Sequence, residues 1–286
     1  LLQKDSPKPI RTYTIGFKDE DYNEADIASE IAAQIGTNHS TLYCKSDDFI
    51  DIIPLLPEIY DEPFGDASAI PTYLVSSFAR KDVKVVLSGD GGDELFGGYL
   101  KYIFGIKAKG ILKIPFFLRN ILYRLLLRIS SNHINTLSNI PGLKKIKQFS
   151  NRFFKFREVL LSRNIDDLMD RSSNFLSAKD VEIFTGKKAK YDSRRIRPEK
   201  NQIMSYFGLK DIDRYLPNDI LTKVDRSSMS LGLEAREPFL DPEIIDFSFK
   251  LDDSFKYNKS LGGKFLLKKI LEKYVDPKLI NRPKQG

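Results

Sequence analysis

Apolar positions in the first hundred residues follow two alternating rhythms. Residues 10–17 (IRTYTIGF) form a short run rich in Ile, Thr, Tyr and Phe that follows Pro7 and Pro9, and it predicts a buried strand. Ala25, Ala28, Ile31, Ala32 and Ile35 then recur on one helical face. Asn23 stands ready to cap that helix and Gly36 occupies the left-handed C-cap position. Residues 40–44 read as a second strand, and Ser46 is placed to cap an amphipathic helix running toward Tyr60. After a turn at Asp61-Glu62-Pro63, a helix over 68–80 leads into 83–87 (VKVVL), a short β-branched run bounded by charge and hence a third strand. The order strand, helix, strand, helix, helix, strand predicts an α/β fold with a parallel sheet flanked by helices.

Beyond position 100 the pattern becomes helical and irregular. Residues 111–129 (ILKIPFFLRNILYRLLLRI) are strongly apolar with Lys113, Arg119, Arg124 and Arg128 interspersed. The expected partner of such a stripe is its own domain, although a basic amphipathic helix also suits a membrane surface or a partner protein. From 203 onward helices are expected near 203–209, 217–231, 242–249 and 262–274. Lys223, Asp225, Arg226, Glu234 and Arg236 alternate in sign, which reads as a solvated, salt-bridged helix.

Composition narrows the classes. With 41% apolar and 30% charged residues over 286 positions, the chain can bury a real core. Cys44 is the single cysteine, which excludes an intrachain disulfide and a cysteine-rich zinc site and points to a reducing compartment. The two histidines, His39 and His133, are the whole imidazole supply. No apolar run reaches membrane-spanning length, and no signal-peptide pattern opens the chain. The net charge of +7 is uneven: residues 101–200 hold 23 Lys/Arg against 8 Asp/Glu, and no acid lies between Lys101 and Arg157. That shift marks a basic insert within an otherwise mildly acidic domain.

The densest chemistry is Ser88-Gly89-Asp90-Gly91-Gly92-Asp93-Glu94-Leu95-Phe96-Gly97-Gly98-Tyr99, directly after the third expected strand. Ligands of open α/β sheets bind beyond the carboxyl ends of strands. Gly89, Gly91 and Gly92 free the backbone to approach a ligand and offer N–H groups to an anion. Asp90, Asp93 and Glu94 beside such a loop call for a hard cation, for which Mg²⁺ is the usual choice. Neither Gly262-Gly263-Lys264 nor Gly186-Lys187 is followed by Ser or Thr, so a Walker loop is excluded, and Gly-x-Gly-x-x-Gly is absent.

Several strings recur together in the order of one family: Thr12-Tyr13-Thr14-Ile15-Gly16-Phe17, Asn23-Glu24, Gly36-Thr37-Asn38-His39, Tyr60-Asp61-Glu62-Pro63, residues 87–99, residues 234–241 and Arg282-Pro283-Lys284-Gln285-Gly286. Together they resemble the synthetase domain of glutamine-hydrolysing asparagine synthetase, across nearly the whole chain outside 101–200. The resemblance implies an adenine nucleotide alpha hydrolase-like sheet with a helical C-terminal half and a basic helical insert. It also implies three parts: an ATP-binding α/β part over 1–100, truncated at its N-terminus; the insert over 101–200; and a helical part over 201–286, truncated at its C-terminus.

The implied reaction is attack of an aspartate side-chain carboxylate on the α-phosphate of ATP, followed by displacement of AMP by ammonia released from glutamine in a separate N-terminal domain. ATP and Mg²⁺ are the implied cofactors. Ile15, Ser88 and Gly89, with Gly91 and Gly92 beside them, match the nucleotide contacts, and Asp93 matches the Mg²⁺ acid. Asp90 matches the acidic position that holds the amino acid or guides ammonia, and Lys284 matches the lysine that stabilises the adenylylation transition state. Tyr99 and Asp219 lie near the catalytic dyad of the related β-lactam synthetases. The resemblance also admits a homodimer and implies a cytoplasmic enzyme without nucleic-acid partner or membrane span.

Two family features are expected upstream of Leu1: the Ser-Gly-Gly-x-Asp-Ser pyrophosphate loop with its second Mg²⁺ acid, and the glutaminase domain with its nucleophilic cysteine. The expectation is therefore a piece of the enzyme with little activity alone. Sugar amidotransferases, β-lactam synthetases and lasso-peptide cyclases share the motifs and remain alternatives. A basic module for nucleic acid or an anionic membrane is a further one.

Overall fold

The computed structural model describes residues 2–17, 23–130, 133–134, 149–173, 176, 178–188 and 202–281. The chain divides into two compact units, one formed by Leu1–Gly98 with Gly208–Gly286 and the other by Tyr99–Phe207.

In the first unit, β1 (Arg11–Phe17) and β2 (Asn38–Cys44) pair in parallel, with Thr12 opposite His39 and Gly16 opposite Tyr43. The Ala25–Ile35 helix makes the crossover, ended by Gly36 at φ 82° as the apolar spacing predicts. Asn23 does not act as a conventional cap of that helix. Its Oδ1 accepts from the Ala25 and Phe17 N–H groups and so ties the end of the strand to the start of the helix. Gly16 has to be glycine: a Cβ there would lie 2.7 Å from the Tyr43 ring and 2.9 Å from the Ala25 Cβ.

The helix expected from Ser46 to Tyr60 is broken into Ser46–Ile50, a 3-10 turn at Ile53–Leu55 and a helix at Leu56–Tyr60. Pro54 and Pro57 are the cause, since each removes an N–H and crowds the preceding turn. Tyr60 and Ile59 then form a small core with Ala69, Phe64 and Tyr73. The Ala69–Arg80 helix packs on β1, where Phe78 meets the Tyr13 ring edge-on at 5.6 Å, and on the Thr222–Met229 helix.

That helix delivers the chain to β3 (Val85–Leu87), which pairs in parallel with β4 (Glu234–Arg236). The second strand corrects the reading of 234–236 as helix. Its outer side chains, Glu234 and Arg236, are charged and exposed around a half-buried Ala235, but its backbone completes the ladder, and the Arg236–Glu234 pair at 2.7 Å lies along one strand. Among the described residues the strands form separate two-stranded sheets, the two larger ones parallel, and the third the antiparallel pair β5 (Tyr257–Asn258) and β6 (Gly262–Gly263). The architecture is a helix-rich α/β one. The helix expected over 217–231 is a π-helical turn at Leu216–Leu221 followed by Thr222–Met229.

The second unit is helical. Leu100–Ala108, Phe149–Val159 and Ile165–Ser173 bury Ala108, Val159 and Leu168 against Phe104, Ile111 and Leu112. Gly105 lets the Phe207 ring approach, since a Cβ would lie 2.3 Å from it, and Phe207 also packs on the fully buried Tyr102. The Phe116–Leu127 helix departs from expectation. Its buried residue is Arg119, while Phe117, Leu118, Ile121, Leu122 and Leu125 are exposed.

Candidate functional site

The loop after β3 is built by the strand pair. Ser88 N–H donates to the Arg236 carbonyl at 2.9 Å, extending the ladder one residue past Leu87. The backbone then turns through Gly91, at φ 83°, into the Gly92–Phe96 helix. Phe239 and Leu240, which follow β4, press on this turn. A Cβ on Gly91 would fall 2.3 Å from the Leu240 side chain, and one on Gly92 3.2 Å from the Phe239 ring. Both glycines are buried and serve packing, whereas Gly89 is exposed with open space where a Cβ would stand. Gly89 is therefore the open glycine of this loop, next to the half-buried Ser88.

Asp90 folds back on its own strand end: the Ser88 hydroxyl donates to its carboxylate at 2.6 Å, and its N–H reaches the same hydroxyl at 3.3 Å. Glu237, the residue after β4, shares this end of the strand pair. Burial raises its pKa first, and the charge of Asp90 raises it further. Glu237 is not among the sequence-predicted site residues. Its signal was the adjacency of Ser88 and Glu237 just beyond two parallel strands, which cannot be seen before β4 is recognised.

Asp93, on the first turn of the short helix, is joined to Lys264 at 3.0 Å. Lys264 is one of two non-glycine residues at positive φ among the described residues, at φ 56° and ψ 32°, and its N–H donates to the Phe96 carbonyl at 3.0 Å. Glycines make the approach possible: a Cβ on Gly98 would fall 1.8 Å from an Asp93 oxygen, and one on Gly263 2.1 Å from the Gly97 carbonyl oxygen. Lys264 is a site residue that the sequence does not reveal, since Gly262-Gly263-Lys264 suggests only the excluded Walker loop.

A second polar cluster lies under the Thr222–Met229 helix. Lys223 is buried, not solvated, and its Nζ donates to Asp66 at 2.6 Å and to the Ser68 hydroxyl at 2.7 Å. Burial alone would raise Asp66, but the hydrogen bonds from Lys223 and Ser68 and the charge of Lys223 outweigh it and hold its pKa at about 2. Beside it the Tyr60 hydroxyl meets that of Ser227 at 2.7 Å. Tyr215 is pushed up by burial and then by the carboxylates of Asp219, Asp66, Asp211 and Glu94. Asp219 itself sits in the π-helical turn, a widened geometry frequent at functional sites.

Ser88, Gly89, Asp90, Gly91, Gly92 and Asp93 thus share one loop. Ile15 stands on β1, opposite Leu42, in the other parallel pair, and among the described residues no ladder joins the two. Tyr99 belongs to the second unit, with Lys101 over its ring at 4.9 Å, and Asp219 to the first. Lys284 lies outside the described residues.

The donor set can be tested against a hard cation. No group of three or more His, Cys, Asp or Glu side chains suited to a metal exists among the described residues. Mg²⁺, however, is commonly held by one or two carboxylates with waters and substrate phosphates completing its shell, and Asp93 offers one carboxylate, paired with Lys264. Among the described residues no helix is long and apolar enough to cross a membrane.

Residues 1–286 match the asparagine synthase family. Asparagine synthetase (glutamine-hydrolyzing) 1 of Bacillus subtilis is 29% identical over 288 residues, covering all of this chain and 43% of that protein. A relative from Methanocaldococcus jannaschii is 33% identical over 220 residues, 77% of this chain and 40% of its own length. Asparagine synthetase (glutamine-hydrolyzing) 3 of Arabidopsis thaliana is 38% identical over 97 residues, 32% of this chain and 16% of that protein. The chain therefore spans less than half the length of these relatives.

Proposed function

The chain belongs to the asparagine synthase family, and on that premise we propose that it carries the synthetase chemistry: ATP-dependent adenylylation of the aspartate side-chain carboxylate, then amidation. A carboxylate oxygen attacks the α-phosphorus and pyrophosphate leaves. Ammonia then attacks the acyl carbon, AMP leaves with that oxygen, and the nitrogen loses a proton. The ammonia would come from glutamine through a glutaminase domain, for which the greater length of the relatives leaves room.

The carrying observation is the Ser88–Asp93 loop, set just past the carboxyl ends of two parallel strands where α/β sheets take nucleotides. Gly89, through its exposed backbone, and the half-buried Ser88 beside it would hold the nucleotide, with Ile15 contributing from β1. Asp90, braced by Ser88, would orient the amino acid or admit ammonia. Asp93 would hold Mg²⁺, which when bound neutralises phosphate charge. Lys284 would meet the negative charge that develops on the transferring group, and Tyr99 and Asp219 are proposed as proton-handling groups.

The decisive test starts from aspartate labelled with ¹⁸O in the side-chain carboxylate, supplied with ATP, Mg²⁺ and ammonia. Label recovered in AMP supports adenylylation. Label in inorganic phosphate, or ATP turnover that ignores aspartate, overturns it. The same assay on this chain alone measures how much of the reaction it supports unaided.

A further inference from the structure

We propose that the Phe116–Leu127 helix is a docking face for an anionic lipid surface, a role separate from the proposed synthetase chemistry. The helix is inside out. Arg119 is 4% exposed, and its guanidinium donates to the carbonyls of Ile114 at 2.9 Å, Leu160 at 3.0 Å and Ser162 at 2.5 Å. The tether is thus polar, using the Ile114 carbonyl just before its own helix and those of Leu160 and Ser162 just past the Phe149–Val159 helix.

The opposite face is apolar and open. Phe117 is 63% exposed, Ile121 53% and Leu125 52%, and Leu118 and Leu122 are exposed beside them. Positions 117, 118, 121, 122 and 125 follow helical spacing and make one continuous stripe. A stripe this apolar, facing water, marks an interaction surface.

Charge decides the occupant. Lys113, Arg124 and Arg128 are exposed around the stripe, with Arg124 and Arg128 one turn apart on its flank. No acid occurs from Lys101 to Arg157, so a second copy would bring like charges together around the contact. A nucleic acid would have to set its phosphates against the apolar centre. An anionic bilayer satisfies both features, taking the apolar side chains into the acyl boundary and the arginines and lysine at the headgroups.

The chain contains no tryptophan, so Phe117→Trp supplies a unique reporter on the exposed face. With vesicles of phosphatidylcholine and phosphatidylserine, the F117W chain should float with the lipid and its emission should shift to the blue. Phosphatidylcholine alone should capture much less. Ile121→Ser with Leu125→Ser, both exposed and so expected to keep the parent's melting temperature, should cut partitioning by more than about tenfold. Arg124→Glu with Arg128→Glu should abolish the preference for anionic lipid.

An unshifted tryptophan, equal flotation by the serine variant, or no flotation at all would overturn the proposal. So would a self-association that the serine variant abolishes while vesicles are ignored. None of these outcomes bears on the isotope result, so the two readings fail independently.

Discussion

Lys264 Nζ lies 3.0 Å from Asp93 Oδ2, and the chain adopts a left-handed backbone at a lysine to put it there. Sequence separates the two by 171 positions. A left-handed non-glycine residue costs about 1 kcal/mol or more, and a partly exposed ion pair returns about that much at best. The lysine is therefore better explained by what it does to Asp93 than by the stability it adds.

An ammonium beside the carboxylate competes with any cation that the carboxylate would bind. Lys264→Met should cost at most about 1 kcal/mol of stability and strengthen Mg²⁺ binding several-fold. Asp93→Asn should abolish that binding. A calorimetric Mg²⁺ titration of the three proteins decides it. Equal affinities in the parent and both variants would remove Asp93 from the metal site.

Asp66 ties acid stability to Lys223. Its carboxyl titrates at about 2 in the folded chain against an ordinary 3.8, so the folded state binds the proton less readily than the unfolded one. The resulting stability is fully present above pH 3.8 and disappears as pH falls toward 2. It amounts to about 2 kcal/mol, since each pKa unit is worth about 1.4 kcal/mol. Asp66→Asn should lose that increment at pH 7 and approach the parent as pH falls below 3, measured by urea unfolding at each pH. Lys223→Met, which strands a largely buried carboxylate, should be more damaging than Asp66→Asn at pH 7.

Much of this was legible in advance, and the limits have physical causes. β1, β2 and β3 stand out because their runs are rich in β-branched and aromatic residues, and Gly36 stands out because a left-handed cap needs glycine. Those runs overstate burial, since β1 and β2 are mostly half-buried and Val85 and Leu87 of β3 are exposed. β4 was hidden because Glu-Ala-Arg carries no apolar signature, and its membership of a sheet rests on backbone pairing alone. Lys223 was misread as solvated because its partners Asp66 and Ser68 lie more than 150 positions away. The apolar stripe at 117–125 was expected to face its own domain, since periodicity locates a face without saying what it meets. The Asp90–Asp93 loop was found, but its division into packing glycines and one open glycine depends on Phe239 and Leu240.

That division gives a glycine series. A methyl group on Gly263 would meet the Gly97 carbonyl oxygen at 2.1 Å, a backbone atom that cannot rotate away, so Gly263→Ala should cost about 1–3 kcal/mol. On Gly98 it would meet the ends of Asp93 and Lys264, at 1.8 Å and 2.3 Å, which can swing aside. Gly98→Ala should therefore disturb the Mg²⁺ response more than the fold. Gly89→Ala meets open space and should stay within about 0.5 kcal/mol of the parent, while weakening ATP binding. Thermal melts with and without Mg²⁺-ATP separate the three, and a nucleotide response unchanged in Gly89→Ala would argue against Gly89 as a nucleotide contact.

The last prediction concerns the two carboxylates beyond β3 and β4. Glu237 is raised chiefly by burial and next by the charge of Asp90, so the folded chain holds its proton more tightly than the unfolded one. The sign is opposite to that of Asp66: this residue's contribution to stability declines as pH rises past 4.5 and reaches its lowest value above the folded pKa. Asp90→Asn removes the charge but not the burial, so Glu237 should move part of the way back, and Glu237→Gln should stabilise the chain above that range. Carbon NMR of the glutamate side-chain carboxyls follows the first effect, and urea unfolding at pH 7 the second. If Asp90→Asn leaves the Glu237 titration unmoved, the two acids do not share one field.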